Sequence, residues 1–310
     1  MSNYKYPTPQ LLLKAICDAI RAKTGSNDKI AHQDIPDELN NIARTEYYEE
    51  QIENISSIYT GTNLNFSISN NDIKSIAMYK FCGSGLTTID LPECTSIGVG
   101  AFEGCTSLTT IDLPKCTSIG GSAFKGCTSL TTIDLPKCTS IGIYTFGYCN
   151  CLTTINLPKC IQMDMWSFSN CASLISINLP ECSSIEYGAF GSCTSLTTVN
   201  LPKCASIRDY AFSNCTNLTT VNLPNCTSIG DSAFNSCTSL TTIILSNNQV
   251  VTLGNINAFN NSSISRRTGY IYVPDDLVDS YKSDTNWSTY ANQIKPLSEL
   301  PSELKEEYNL

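Results

Sequence analysis

Cysteines are the residues with the most versatile chemistry in this sequence, which contains 17 of them. Fourteen recur every 11 residues between Cys94 and Cys237, and alternate members form two series with a period of 22 residues. The first series consists of Cys94, Cys116, Cys138, Cys160, Cys182, Cys204 and Cys226. Thiols at such regular spacing could pair as disulfides, bind a metal ion or pack as reduced side chains.

A metal site is disfavoured, because the chain has no close Cys-x-x-Cys pair and contains a single histidine, His32. Disulfides are disfavoured by geometry, since stacked neighbours within one series lie about 5 Å apart with parallel Cβ vectors. Asn71 and Asn248 are interpreted as occupying the repeat position of the first cysteine series, which we call the cysteine slot, in the two end repeats. Asparagine cannot form a disulfide there. We therefore predict a structural ladder of buried, reduced thiols that donate weakly to turn carbonyls, with disulfides as the alternative. No cofactor is predicted.

The cysteines are positioned by a 22-residue unit that occurs seven times without a gap over residues 86–239. In the second copy, Ile111 and Leu113 alternate with polar residues, which is typical of a strand with one buried face. The proline that follows ends the strand, because it has no N–H to donate to a continuing ladder. A fixed period of this length is typical of a solenoid, in which each unit buries its apolar face against its neighbours. One phenylalanine per unit is expected to stack into a column: Phe102, Phe124, Phe146, Phe168, Phe190, Phe212 and Phe234.

This unit resembles the leucine-rich repeat, L-x-x-L-x-L-x-x-N/C, and more narrowly the BspA-like class of bacterial leucine-rich repeats. In the second copy the matching positions are Leu108, Ile111, Leu113, Cys116, Ile119, Ala123, Phe124 and Cys127. The resemblance covers roughly residues 60–262. It implies an α/β solenoid, a right-handed superhelix with a parallel β-sheet on its concave face. It also implies surface display and binding to proteins or cells, and it brings no catalytic residue.

The pattern divides the chain into four parts. We predict a helical N-terminal cap over residues 1–58, the repeat solenoid over 59–262, a C-terminal strand–helix cap over 263–297 and a tail over 298–310. The tryptophan and tyrosine side chains of the third part are expected to seal the last coil rather than to bind a ligand. The tail is polar and is predicted to be frayed.

Residues 19–42 resemble a short segment near the start of proteins encoded by phages and prophages of Gram-positive bacteria. This resemblance suggests a virion component or prophage cargo, and a helical hairpin that caps the first coil is the alternative and compatible interpretation. The first seven residues lack the apolar core of a secretory signal. That absence fits reduced thiols but not the usual secretion of BspA-like proteins. Export by another route, release by lysis and carriage on a particle all stay open as alternatives.

The charge balance restricts the function classes. The net charge of −9 argues against binding to nucleic acid or to acidic membranes through bulk electrostatics. No apolar run approaches about 18 residues, so no membrane insertion is predicted. An enzyme is disfavoured by the single histidine, the lack of a Gly-rich phosphate loop and the lack of paired carboxylates in a pocket.

Two surfaces are candidates for binding. The first is the outward face of the predicted sheet, represented by Thr110, Asp112, Thr132, Asp134, Thr154, Asn156 and Asn178. The second lies on the return side of the coil, where Trp166 is the one large aromatic residue that the repeat does not require.

The leading hypothesis is a non-catalytic, monomeric interaction or adhesion module, displayed on a cell or phage particle, that binds a host or bacterial surface protein or glycan. One alternative is binding to an ordered surface, such as polysaccharide or ice, through the threonine and Asp/Asn columns. The other alternative is a purely structural component of a particle.

Overall fold

The computed structural model describes residues 66–71 and 73–310, and these form a solenoid of parallel strands with a period of 22 residues. The predicted N-terminal cap, the phage-like segment and His32 lie outside the described residues. Each coil contributes a first strand, a tight turn, a two-residue second strand and a longer return turn that carries the phenylalanine.

The first strands of the coils form one column along the solenoid. They are Phe66–Ser69, Leu86–Asp90, Thr110–Asp112, Thr132–Asp134, Thr154–Asn156, Ser176–Asn178, Thr198–Asn200, Thr220–Asn222 and Thr242–Ile244. Tyr270–Val273 and Ile294–Pro296 extend this column beyond the repeats. The column consists of three separate sheets, with breaks between the strands at 110–112 and 132–134 and between those at 176–178 and 198–200.

The second strands form another column on a different side of the coil. They are Ser75–Ile76, Ser96–Ile97, Ser118–Ile119, Ser140–Ile141, Gln162–Met163, Ser184–Ile185, Ser206–Ile207, Ser228–Ile229 and Thr252–Leu253. All described strand pairs are parallel, and the pairs between repeats join equivalent positions of successive units, as in Ile119 with Ile141. This register follows from the period, because any other offset would remove apolar side chains from the interior.

The interior contains a continuous column of phenylalanine rings. Neighbouring centroids from Phe81 to Phe259 are 5.2 to 5.6 Å apart, and the planes lie within 13° of parallel. The predicted column is confirmed, and it extends by one ring at each end. Leucine, isoleucine and cysteine side chains at the repeat positions fill the rest of the core.

The last coil is sealed by aromatic side chains, as predicted. The closing segment contains 3-10 helices at Asp275–Leu277 and Trp287–Gln293 and helix α1 at Val278–Ser283. The buried indole of Trp287 donates to the carbonyl of Val251 at 2.6 Å, and the hydroxyl of Tyr281 accepts from the N–H of Val251 at 3.0 Å. A further 3-10 helix at Ile256–Phe259 places Phe259 against Trp287.

The prediction of a frayed tail is wrong. After a 3-10 helix at Leu297–Glu299, helix α2 forms at Ser302–Tyr308. In a small apolar cluster, Leu300 of the tail is buried with Ile244 and Tyr272 of the first-strand column. Ile244 pairs with Asn222 in the register of the outward Asp/Asn column, so the last repeat replaces a polar position with an apolar contact for the tail.

Candidate functional site

The first cysteine series bonds locally within each coil. Each Sγ donates to the carbonyl oxygen two residues further along the chain, at 3.1 to 3.4 Å. The series is fully buried, and all cysteines in the described part of the chain are free thiols. The predicted structural ladder is therefore present, and its thiols satisfy turn carbonyls.

The second cysteine series connects neighbouring coils. Each Sγ, as in Cys127 and Cys149, donates at 3.0 to 3.3 Å to the carbonyl oxygen of the stacked phenylalanine in the preceding coil. These bonds satisfy a main-chain acceptor in the interior that water does not reach.

The electrostatic setting of the thiols makes them chemically inert. Burial raises the pKa of Cys116 to about 12 and that of Cys138 to about 11. The thiolate, which is the nucleophile and the metal ligand, is therefore scarce at neutral pH. Within residues 66–71 and 73–310, no group of three or more His, Cys, Asp or Glu side chains is arranged to hold a metal ion.

The assignment of Asn71 and Asn248 to the cysteine slot is wrong. Both are exposed, whereas the strand register places Ile73 beside Cys94 and Val250 beside Cys226. In the first coil, Ile68 pairs with Ile89, which lies two residues earlier in the unit than the assignment of Asn71 assumed. In the last coil, two extra residues separate the strands, so counting from Leu245 gives a shifted position. The slot thus takes an aliphatic side chain, which agrees with packing rather than redox chemistry.

The outward sheet face brings the predicted polar residues together. Thr110, Asp112, Thr132, Asp134, Thr154 and Asn178 are exposed, and Asn156 is half-buried. The amide of Asn156 donates to Asp134 at 2.9 Å, and that of Asn178 donates to Asn156 at 2.6 Å. Part of the hydrogen-bonding capacity of this column is therefore satisfied within the protein. The face ends at Asn222, which is buried beside the tail cluster.

A second cluster surrounds Trp166 on the return turns, and we call Tyr144, Trp166, Tyr187 and Tyr210 the aromatic band. Trp166 stacks on Tyr144 with centroids 5.0 Å apart and planes within 10°. Tyr187 meets Trp166 edge-on at 5.0 Å, and Tyr210 follows at 5.4 Å. The band thus crosses four successive coils. It is separate from the outward columns of the sheet, so the structure does not combine the two sets of candidate residues into one site.

Backbone geometry determines where the rings of the band lie. Tyr144, Trp166 and Tyr210 occupy one turn position that is left-handed in every regular coil, with φ of 53°, 53° and 56°. A non-glycine residue costs about 1–2 kcal/mol there. Gly188 has the same position one coil after Trp166, and a Cβ on it would lie 2.5 Å from the indole Nε1. Glycine makes room for the indole, and Tyr187, one residue earlier, supplies the ring of that coil.

The rings of the band pack on one another, and Tyr144, Trp166 and Tyr187 are half-buried while Tyr210 is exposed. Tyr144 covers one face of Trp166 and Tyr187 approaches from the next coil, so the indole is held between them. The ammonium of Lys125 lies 5.7 Å from the Tyr144 ring centroid at one end. Tyr210 of the band is 38% exposed, and Ile143 and Tyr148, which are close to Tyr144 in the chain, are 39% and 45% exposed. The sequence indicated Trp166 alone as a candidate, although the repeat-breaking tyrosines carried the signal for the rest.

The BspA type leucine rich repeat region matches this chain in 6 copies, over residues 50–175 and 161–277. The chain belongs to the BspA-type leucine-rich repeat family. A comparison with curated proteins finds no match. The cysteine series, the phenylalanine column and the parallel strands described above are thus the interior of a BspA-type solenoid.

Solved structures of leucine-rich repeat proteins are similar to this chain to different degrees. One from Bacteroides ovatus is 24% identical with a TM-score of 0.55, covering 75% of this chain and 69% of that chain. The leucine-rich repeat protein of T. pallidum is 27% identical with a TM-score of 0.43, covering 59% and 80%. No helix in the described part of this BspA-type chain is long and apolar enough to cross a membrane.

Proposed function

We propose that this BspA-type protein is a non-catalytic binding module that recognises a protein partner through the aromatic band. The observation that carries the proposal is the row of packed tyrosine and tryptophan rings, three of which occupy a turn position where the other regular coils have glycine or serine. Tyrosine and tryptophan are enriched among the residues that dominate protein interfaces. Leucine-rich repeat families are typical interaction modules, which supports the same assignment.

A protein partner fits the geometry better than a glycan does. A sugar ring that stacks on tryptophan needs an open indole face, whereas Trp166 is stacked on Tyr144 and is in contact with Tyr187, whose ring plane lies at 70° to the indole. Aromatic rings with a phenol or indole group suit the mixed apolar and polar contacts of a protein surface. The ion pair of Arg208 and Glu186, 3.9 Å apart, borders the band with charges typical of an interface rim.

Binding to an ordered lattice is a weaker interpretation of the sheet face. Such binding needs evenly spaced threonines, and the first-strand column is interrupted at two places, after Asp112 and after Asn178. We therefore assign the sheet face, including Thr132 and Asp134, to a secondary role in the proposal. Display on a bacterial cell or phage particle is the setting proposed for the whole module.

The test compares two substitutions at the same turn position. Trp166→Gly places glycine where Gly188 and Gly100 already occur, so folding should be preserved. Ser122→Gly makes the matched backbone change two coils away, outside the band. The purified chain and both variants would be passed over extracellular-matrix proteins, glycan arrays and whole Gram-positive cells.

We expect saturable binding to a protein or to protein on cells, weakened at least about tenfold by Trp166→Gly and unchanged by Ser122→Gly. Thr132→Ala serves as the control for the sheet face and should also leave binding unchanged. Binding that survives Trp166→Gly, or that is lost with Thr132→Ala, would refute the assignment to the aromatic band.

A further inference from the structure

A polar cleft of about 230 Å³ opens at the C-terminal end of the solenoid, away from the aromatic band. It lies between the 3-10 helices at Ile256–Phe259 and Trp287–Gln293 and the loop that joins the last repeat to the closing strand. Its polar lining consists of Asn257, Asn260, Ser265, Arg267, Thr289 and Gln293. This volume lies below the range typical of drug-sized ligands, so it suits one small polar molecule.

Gln293 gives the cleft a polar wall. The residue is 5% exposed and lines the cleft, and its carboxamide atoms are not among the polar atoms of the described residues that are sealed from solvent without a partner. The amide donor and acceptor of Gln293 are therefore accessible to a molecule in the cleft.

Arg267 supplies a positive charge in a protein whose net charge is −9. Its backbone is left-handed with φ of 65°, and it forms no ion pair with any described residue. A guanidinium presents two parallel N–H groups that match a carboxylate. Charge complementarity therefore selects an anionic ligand.

The other walls suit a ring that carries hydroxyl groups. The amide of Asn260 donates to the side-chain oxygen of Asn257 at 3.1 Å, which orients both amides. The hydroxyl of Tyr290 donates to the carbonyl of Ile256, so the tyrosine contributes its ring rather than its oxygen. Ile256 is 47% exposed at the rim and adds an apolar surface. Amides, hydroxyls and a small apolar wall are the groups that bind a sugar ring.

We propose that this cleft binds an acidic monosaccharide, a single sugar ring that bears a carboxylate. Arg267 holds the carboxylate, and Gln293 with the Asn257–Asn260 pair binds the ring hydroxyls. This site is independent of the aromatic band and of the partner proposed for it, so either proposal can fail without the other.

The experiment uses the full chain and glucuronate as the probe, with titration calorimetry and saturation-transfer NMR as readouts. Arg267→Gln removes the charge in the cleft, and Arg266→Gln is the matched control, because it removes the adjacent exposed charge outside the lining. Gln293→Leu tests the buried amide, and circular dichroism checks that each variant folds. Glucose has a sugar ring without a charge, and inorganic phosphate has a charge without a sugar ring. Their binding therefore shows whether the cleft recognises the ring, the charge or both.

We expect glucuronate to bind saturably and more tightly than glucose or phosphate. Arg267→Gln should weaken binding about tenfold, whereas Arg266→Gln should change it less than about twofold. Gln293→Leu should weaken binding of glucuronate and leave the fold intact. Absence of glucuronate binding, phosphate binding as tight as that of glucuronate, or equal loss in both arginine variants would overturn the proposal.

Discussion

At the scale of single residues, the cysteines illustrate how a chemically reactive type becomes a packing element. Cys116 donates to a carbonyl of its own turn, and Cys127 donates to the carbonyl of Phe102 in the preceding coil. Both are fully buried, so the thiol replaces a small aliphatic group and adds one weak hydrogen bond.

The first prediction concerns pH. The folded pKa of Cys116 is raised to about 12, whereas an unfolded thiol titrates near 9.0. The unfolded state therefore loses protons that the folded state keeps. The contribution of this thiol to the free energy of unfolding is complete below pH 9 and is lost as the pH rises toward 12. Urea unfolding between pH 8 and 11 should show a midpoint that falls with pH. Tyr281, whose pKa is raised to about 12, contributes in the same direction at the upper end.

A thiol titration gives the control for this pH effect. In denatured, unreduced protein we expect most of the 17 cysteines to react. Among the cysteines in the described part of the native protein, exposed Cys151 should react most rapidly, because the ladder thiols are buried and protonated. A count of about three or fewer in the denatured protein would mean that disulfides, not thiols, form the ladder.

The second prediction separates the cysteine slot from the phenylalanine slot. Phe146→Ala removes a ring stacked between two others and should cost about 3–5 kcal/mol of unfolding free energy. Cys160→Ala removes a single sulfur atom and one weak bond, and should cost about 1 kcal/mol. Denaturant unfolding of both variants measures the difference. Equal losses would show that the thiol has a larger role than packing.

At the scale of elements, helix α2 shows why a segment outside the repeat was not predicted correctly from the sequence. Its sequence is polar, and the repeat pattern ends well before it. The contact depends on Ile244 replacing an outward polar residue and on Tyr272 beside it, and neither lies in the tail itself. The strands and the phenylalanine column were predictable because a fixed period places equal residues side by side.

The third prediction tests that contact. Leu300→Ala should remove the apolar anchor and cost about 2 kcal/mol, because Leu300 is buried against Ile244 and Tyr272. Leu310→Ala is the matched control, since Leu310 is 46% exposed. Hydrogen exchange should show lost amide protection in Ser302–Tyr308 for the first variant and no change for the second. Unchanged protection in both would indicate that the tail is held by other contacts.

At the scale of the whole molecule, the repeat explains which parts of the candidate site could be predicted. Trp166 was visible as a departure from the consensus, because the consensus itself defines the expected residue. Its partner Tyr187 was harder to assign, since it lies one residue before the slot that Tyr144 and Tyr210 occupy. The cleft at Arg267 and Gln293 was not predictable, because it is lined by segments that do not follow the repeat. The spacing of residues in the sequence therefore gave no indication that these segments are in contact.

The last prediction uses the modular energetics of a solenoid, in which stability is approximately a sum over units and their neighbours. Deleting residues 108–129 or residues 152–173 removes one complete 22-residue unit and rejoins the chain in register. Both deletions should fold with similar denaturant midpoints. The first keeps the aromatic band and should keep partner binding, whereas the second removes Trp166 and should abolish it. Equal binding by the two deletion proteins would show that recognition belongs to the solenoid surface in general and not to the band.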